Sequence, residues 1–288
     1  MKILLTGASG QVGYELERSL QALGQVVALD RAQMDLSNLD QVRNVVRAVR
    51  PGLIVNPAAY TAVDKAEGEP ELAHRVNAEA PAVMAAEARL LGATMVHYST
   101  DYVFDGAKHG PYAESDPTNP INVYGQSKLA GELAIAASGV RHLILRTSWV
   151  YGMRGKNFLQ TMLRLGAERD ELRVVADQFG APTWSRTIAD TTAVLLAQAR
   201  GADQDWWERN GGIYHLSSQG QTSWHGFTEA IVAKAGLACR VTPIGSAEYP
   251  TPARRPSNSL MSSDKLIQRF CAIPAWEQAL GLCLGEAA

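Results

Sequence analysis

Tyr124 and Lys128 are the pair whose types and spacing best fit chemistry. Of nine tyrosines in the chain, only Tyr124 has a lysine four residues on. That spacing places both side chains on one face of a helix. A phenol is a weak acid of pKa about 10. A nearby ammonium favours the phenolate and draws that value toward the working range. A tyrosine tuned in this way can give a proton to a carbonyl oxygen while a hydride arrives at the carbon. Most Tyr-x-x-x-Lys pairs are solvated helix faces, so the elements around this one must give it weight.

Thr100 and Asp101 lie at the polar end of an apolar run, Met95 to Tyr98, shortly before the Tyr124 segment. A hydroxyl at Thr100 can orient a substrate carbonyl, and a carboxylate at Asp101 can hold a sugar hydroxyl. Gly7, Gly10 and Gly13 recur every three residues between the apolar run Ile3 to Leu5 and a helical series, Val12, Leu16 and Leu20. Strand, glycine turn and helix in that order make a seat for a pyrophosphate. The spacing is G-x-x-G-x-x-G, which departs from the commoner G-x-G-x-x-G fingerprint. Asp30 follows twenty residues after Gly10, where a carboxylate can accept from an adenosine ribose hydroxyl. That favours NADH, and Arg31 beside it offsets repulsion of a 2′-phosphate and admits NADPH. Asp35 and Leu36 are placed to flank the adenine. Trp149 can pack its indole on a deoxysugar face and donate its N–H to a hydroxyl. Arg254 and Arg255 read equally as a diphosphate clamp or a solvated basic turn. Trp206 and Trp207 stand in a polar stretch and read as a surface contact.

The elements that must position these residues follow an alternating rhythm. Strands are expected at 3–5, 25–29, 53–55, 95–98 and 142–145. Helices are expected after the glycine turn, after a capping box at Ser37 and Asp40, over 71–91 with a kink or break at Pro81, and over 124–137. Such alternation predicts an α/β protein with a Rossmann-like, doubly wound parallel sheet. Segment 105–120 reads as loop. Beyond Trp149 the rhythm loosens: helices near 157–169, 188–199 and 225–236, strands at 172–175 and 212–216, a turn at 180–183, and a proline-rich ordered loop or lid over 243–256. The expected division is a dinucleotide-binding domain over 1–148 and a smaller α/β substrate lobe over 149–288, with segments near 186–216 crossing back to the first.

Composition narrows the function classes. The 288 residues carry a net charge of −2. No basic block suggests nucleic acid, and no apolar run of about 18 residues suggests a membrane span. The N-terminus enters strand and glycine loop directly, which leaves no place for a signal peptide. Cys239, Cys271 and Cys283 are odd in number and lack ligand spacing, as expected of reduced thiols in a cytoplasmic protein.

Several blocks carry a family resemblance. Residues 6–13 (TGASGQVG), 98–104 (YSTDYVF) and 122–132 (NVYGQSKLAGE) resemble the extended short-chain dehydrogenase/reductases acting on nucleotide sugars. Residues 56–67, 146–151, 177–183 and 249–259 resemble, more narrowly, the dTDP-4-dehydrorhamnose reductase family. The resemblance implies NAD(P)H-dependent reduction of dTDP-4-dehydro-β-L-rhamnose to dTDP-L-rhamnose, the last step in making that sugar donor. By matched position it implies Tyr124 as proton donor, Lys128 as its partner and Thr100 assisting. It implies cofactor contacts from Gly10, Gln11, Val12, Asp30, Asp35, Leu36, Ala59, Tyr60, Thr61 and Tyr98, besides the loop glycines Gly7 and Gly13. It implies sugar-nucleotide contacts from Thr100, Asp101 and Trp149. Two positions depart from the family: Pro57 stands where alanine is usual, and Tyr60 where histidine is common. Some members hold magnesium at a dimer contact, and Glu15 matches one acidic position, so Mg2+ and a homodimer stand as open expectations. The rivals are an epimerase or dehydratase on the same scaffold, and a non-catalytic regulatory subunit.

Overall fold

The computed structural model describes residues 1–285. Its first half runs β1 (Lys2–Leu5), α1 (Gln11–Ser19), β2 (Gln25–Ala28), α2 (Leu39–Val49), β3 (Leu53–Asn56), α3 (Val63–Ala66), α4 (Pro70–His74), α5 (Ala80–Leu90), β4 (Thr94–Thr100), α6 (Val123–Ala137) and β5 (Arg141–Thr147). Then come β6 (Val150–Tyr151), α7 (Phe158–Glu168), β7 (Glu171–Val175), β8 (Phe179–Gly180), β9 (Thr183–Trp184), α8 (Ser185–Gln198), α9 (Gln204–Asn210) and β10 (Gly212–His215). The chain ends with β11 (Thr222–Ser223), α10 (Trp224–Lys234), β12 (Arg240–Ile244), α11 (Asp264–Arg269) and α12 (Trp276–Leu284).

Six parallel strands form one sheet in the order β10-β5-β4-β3-β1-β2. The chain leaves β1 in one direction for β2 and returns to the other side for β3. That reversal opens a crevice at the carboxyl edge, where doubly wound sheets bind ligands. The strands are short continuous apolar runs because both faces are covered. Ile3, Leu5, Val55 and Leu145 pack with Leu16 and Leu20 of α1 and with Ile188 and Leu195 of α8. Leu4, Ile54, Met95 and Ile144 face the other way, onto Val42 and Val46 of α2, Met84 and Ala88 of α5 and Ile135 of α6. A second core gathers Tyr151, Leu159, Leu172, Phe227, Ile231, Trp276 and Leu280 around the parallel pair β7–β12.

Three local expectations are corrected. The cap of α2 is Asn38, whose side chain accepts from the Gln41 N–H; Ser37 bonds Asp35 instead. The interruption expected at Pro81 falls just before it. The chain widens to a π turn over Arg75–Glu79 and resumes as α5 with the proline in its first turn, where a missing N–H is tolerated. Trp207 is core, 6 % exposed, and Trp206 packs edge-on against it and near Phe270; the pair anchors α9 rather than offering a surface.

Candidate active site

The glycine loop closes on itself. Gly7 has φ +58°, a left-handed conformation that favours glycine. A Cβ at Gly13 would lie 2.1 Å from the Gly7 carbonyl oxygen, and one at Gly10 would lie 3.2 Å from it. Gly10 and Gly13 are therefore small because the first turn of α1 rests on the loop that feeds it, and a Cβ at Gly7 would meet Ala58 at 3.0 Å. Gly10 caps α1 with no side chain, and no acidic residue stands in the first turn. An uncapped helix N-terminus reached by bare backbone fits a pyrophosphate.

The other residues expected to hold the dinucleotide are distributed unevenly. Gln11 opens α1 and accepts from Asn157, which ties this helix to the start of α7. Val12 packs against the core. Asp30 is half-buried just past β2, and its Oδ1 accepts the N–H groups of Ala32 and Gln33. Asp35 bonds Ser37 and lies 3.8 Å from Arg31. The Arg31 charge expected to serve a 2′-phosphate thus has a carboxylate of its own nearby. Leu36 is 6 % exposed within the core under α2. Ala59 and Tyr60 are half-buried beyond β3, and Thr61 is exposed. The Tyr60 hydroxyl donates to Glu69, which pushes its pKa up to about 12. Tyr98 turns its phenol into the core to meet Thr192 at 2.8 Å; only its backbone carbonyl faces the Lys128 side of the sheet.

The chemistry gathers at the end of β4. Thr100 donates to Asp101 Oδ1 at 2.9 Å and accepts from the Tyr102 N–H. Asn122 caps α6 through the Gly125 N–H and donates to the Arg254 carbonyl. A Cβ at Gly125 would stand 2.2 Å from the Tyr102 carbonyl oxygen, so glycine lets α6 start against the 101–103 turn. Tyr124 is thereby set edge-on to Tyr102, with ring centroids 5.6 Å apart. Packing around the half-buried Tyr124 pushes its phenol up to about 12, against a smaller opposite effect from the Thr100 hydroxyl. This reverses the expected direction: Lys128 does not lower it. Lys128 is 1 % exposed and bonds the Tyr98 carbonyl at 2.6 Å and His97 Nε2 at 3.1 Å. Burial lowers the lysine to about 8.

Asp101 is 2 % exposed, and its Oδ2 has no partner. Desolvation raises its carboxyl to about 6. Trp149 has φ +45°, unusual for a bulky residue. It stacks on Trp224 with centroids 3.6 Å apart and donates to Ser259 at 3.1 Å. Its N–H and one face, expected to meet a sugar, are thus engaged. Arg255 forks onto Asp64 at 2.8 and 2.9 Å, binding segment 243–256 to α3; Arg254 is exposed. No group of three or more His, Cys, Asp or Glu side chains able to hold a metal occurs among the described residues. The sequence reading missed Asn56, His97, Trp224 and Ser259. His97 carried a signal, a polar residue inside the apolar run of β4.

Sheet, switch-point crevice and glycine cradle define a Rossmann-like dinucleotide-binding protein. The chain belongs to the family described as RmlD substrate binding domain, whose model matches residues 1–288. A dTDP-4-dehydrorhamnose reductase of Burkholderia thailandensis is 54 % identical over 295 residues, covering 99 % of each chain. One of Escherichia coli K12 is 44 % identical, over 99 % of this chain and 98 % of that one. The solved structure of the Bacillus anthracis dTDP-4-dehydrorhamnose reductase in complex with NADP superposes with TM-score 0.90 at 37 % identity, covering 99 % of each chain.

Gly13→Ala is expected to weaken dinucleotide binding about tenfold or more, a change of ~1.4 kcal/mol or above. The added methyl must push the Gly7 carbonyl out of the cradle. Titration of nicotinamide fluorescence checks it; unchanged affinity would place the pyrophosphate elsewhere.

Proposed function

We propose that this chain reduces the C4 ketone of dTDP-4-dehydro-β-L-rhamnose to the alcohol of dTDP-L-rhamnose, using NADPH or NADH. What carries the reading is that Tyr124, Thr100 and Lys128 belong to one sheet edge in a chain that matches reductases of that name end to end. The nicotinamide, when bound, supplies the hydride.

The residues of the chain supply the rest. Tyr124, held near 12, keeps its proton at neutral pH and can deliver it to the oxygen at C4. Thr100, whose hydroxyl favours the phenolate, can turn its proton from Asp101 to the oxygen left behind. Lys128, one helical turn on, adds positive charge when protonated and offers an N–H to a ribose hydroxyl. The orphaned Asp101 Oδ2 accepts a hydroxyl proton of the sugar. Uncapped N–H groups of α1 take the pyrophosphate. The sugar nucleotide lies between a dinucleotide-binding domain ending at residue 148 and the lobe that follows, with Trp149 at the junction. A cytoplasmic setting belongs to this reading, supported by three free thiols. Among the described residues, no helix is long and apolar enough to cross a membrane.

The test is to offer purified protein dTDP-4-dehydrorhamnose with each dinucleotide. Stoichiometric loss of the nicotinamide absorbance, with the product two hydrogens heavier by mass, is the expected outcome. Turnover without dinucleotide consumption would point to an epimerase or dehydratase and sink the reading.

A further inference from the structure

Behind Lys128 lies a buried polar chain that the proposed reaction does not use. Thr6 follows β1, Asn56 ends β3 and His97 sits within β4, on three neighbouring strands. Asn56 and His97 are direct partners in the parallel register. Thr6, Asn56, His97 and Lys128 are each at most 1 % exposed. Thr6 Oγ1 is 2.6 Å from Asn56 Oδ1, Asn56 Nδ2 is 3.0 Å from His97 Nδ1, and His97 Nε2 is 3.1 Å from Lys128 Nζ.

Proton counting along this chain leaves two arrangements of the ring and the amide, of which only the second admits a charged lysine. In the first, Thr6 donates to the Asn56 carbonyl and the Asn56 amide donates to His97 Nδ1. The imidazole proton is then on Nε2, facing Lys128. An ammonium cannot accept it, so Lys128 stands as an amine that accepts from His97 and donates to the Tyr98 carbonyl. In the second, the amide is turned over and His97 carries its proton on Nδ1, donating to the Asn56 carbonyl. Its bare Nε2 then accepts from Lys128 as ammonium. The two differ by one proton gained at Lys128, one imidazole tautomer and one amide turn. The ring itself stays neutral, because burial and the lysine charge hold His97 far below the ordinary imidazole range.

The charged groups around this chain are otherwise committed. On α6, Glu132 is paired with Arg146 of β5 and still favours the Lys128 ammonium through its charge, and Tyr124 keeps its proton. Tyr98 turns its phenol to Thr192, and Asp101 in the next turn is held by Thr100. On α3, Asp64 is paired with Arg255, and on α5, Glu87 is paired with Arg47. Glu71 and His74 of α4, and Arg75 and Glu79 of the π turn, are exposed.

We propose that His97 is a positioning residue for the reduction: its tautomer, set by Asn56 and Thr6, decides whether Lys128 can stand as an ammonium. The proposal rests on the reading of Lys128 as the partner of Tyr124. Because Thr6 opens the glycine loop, the dinucleotide seat and the lysine share one hydrogen-bonded chain.

Nitrogen NMR of the protein without dinucleotide tests it. The Lys128 signal is assigned by its loss in Lys128→Met. The His97 ring is expected to exchange its protonated nitrogen, Nε2 for Nδ1, across the same pH midpoint at which Lys128 Nζ titrates. A ring that keeps one tautomer through that midpoint overturns the proposal. Asn56→Asp supplies an acceptor-only side chain and imposes the second arrangement. It should raise the Lys128 midpoint by about 1–2 pH units and carry the corresponding limb of the kcat–pH profile with it. Thr6→Val, which frees the amide to turn, should move both in the same direction by less, and serves if the aspartate variant does not fold. A moved midpoint with an unmoved limb overturns the link to the reaction. Full turnover in Lys128→Met would instead refute the Lys128 reading, while the tautomer measurement still judges the chain behind it.

Discussion

Tyr124→Phe is expected to lower kcat by about 10²–10⁴-fold, the span over which a positioned general acid acts. The phenol is the group at this sheet edge that holds a proton at neutral pH and stands beside the Thr100 hydroxyl. Its ring is fixed edge-on to Tyr102, and a phenylalanine keeps that contact. The fold and dinucleotide affinity should therefore change little, and the loss should fall on turnover. Steady-state kinetics with fluorescence titration of the dinucleotide separates the two. Near-normal turnover would show that the proton comes from elsewhere, with the buried Asp101 the next group to examine.

Arg146→Leu is expected to destabilise the protein by about 3–5 kcal/mol, because it strands a buried carboxylate. Arg146 and Glu132 have side chains 3 % and 1 % exposed and form a two-pronged contact at 2.7 and 2.9 Å. The guanidinium also lies 5.2 Å from the Phe104 ring. At roughly 2–4 °C per kcal/mol for a chain of this class, the midpoint of thermal unfolding should fall by about 6–20 °C. The double variant Glu132→Leu with Arg146→Leu should recover most of that loss, since an apolar pair of similar volume carries no desolvation cost. A midpoint unchanged in the single variant would mean that water reaches Glu132. The pair joins α6 to β5, so it also holds the helix that carries Tyr124 and Lys128.

The cradle and the acid were readable for the same reason: both are set by neighbours in sequence. Gly7, Gly10 and Gly13 lie within seven residues; Gly7 answers to its left-handed φ, and Gly10 and Gly13 to the Gly7 carbonyl. Tyr124 and Lys128 share a helix, so their common face follows from the helical repeat. The chemistry expected of the pair did not follow from that face. Lys128 runs beneath the helix to the carbonyl of Tyr98, and burial moves both titrations in directions that spacing alone does not reveal.

Positions with distant partners are those whose surroundings the sequence does not reveal. Leu36 and Trp207 look like ligand or surface residues in a polar context, yet each fills a core built by segments remote in the chain. The sequence offers the Trp149 indole to a sugar, and the fold sets Trp224 on one face and Ser259 on its N–H. Arg255 was an undecided cation until Asp64, nearly two hundred residues earlier, came against it.

By itself, the sequence determined the parallel sheet, the glycine turn that feeds α1 and the shared helix of Tyr124 and Lys128, since local periodicity and turn stereochemistry dictate them. The tertiary structure alone decided which of these groups are buried and whom they meet. It placed Thr6, Asn56 and His97 behind Lys128, because neighbouring strands of a parallel sheet come from segments some forty to fifty residues apart. Desolvation and proton sharing between such segments depend on packing, and no spacing within one segment encodes them.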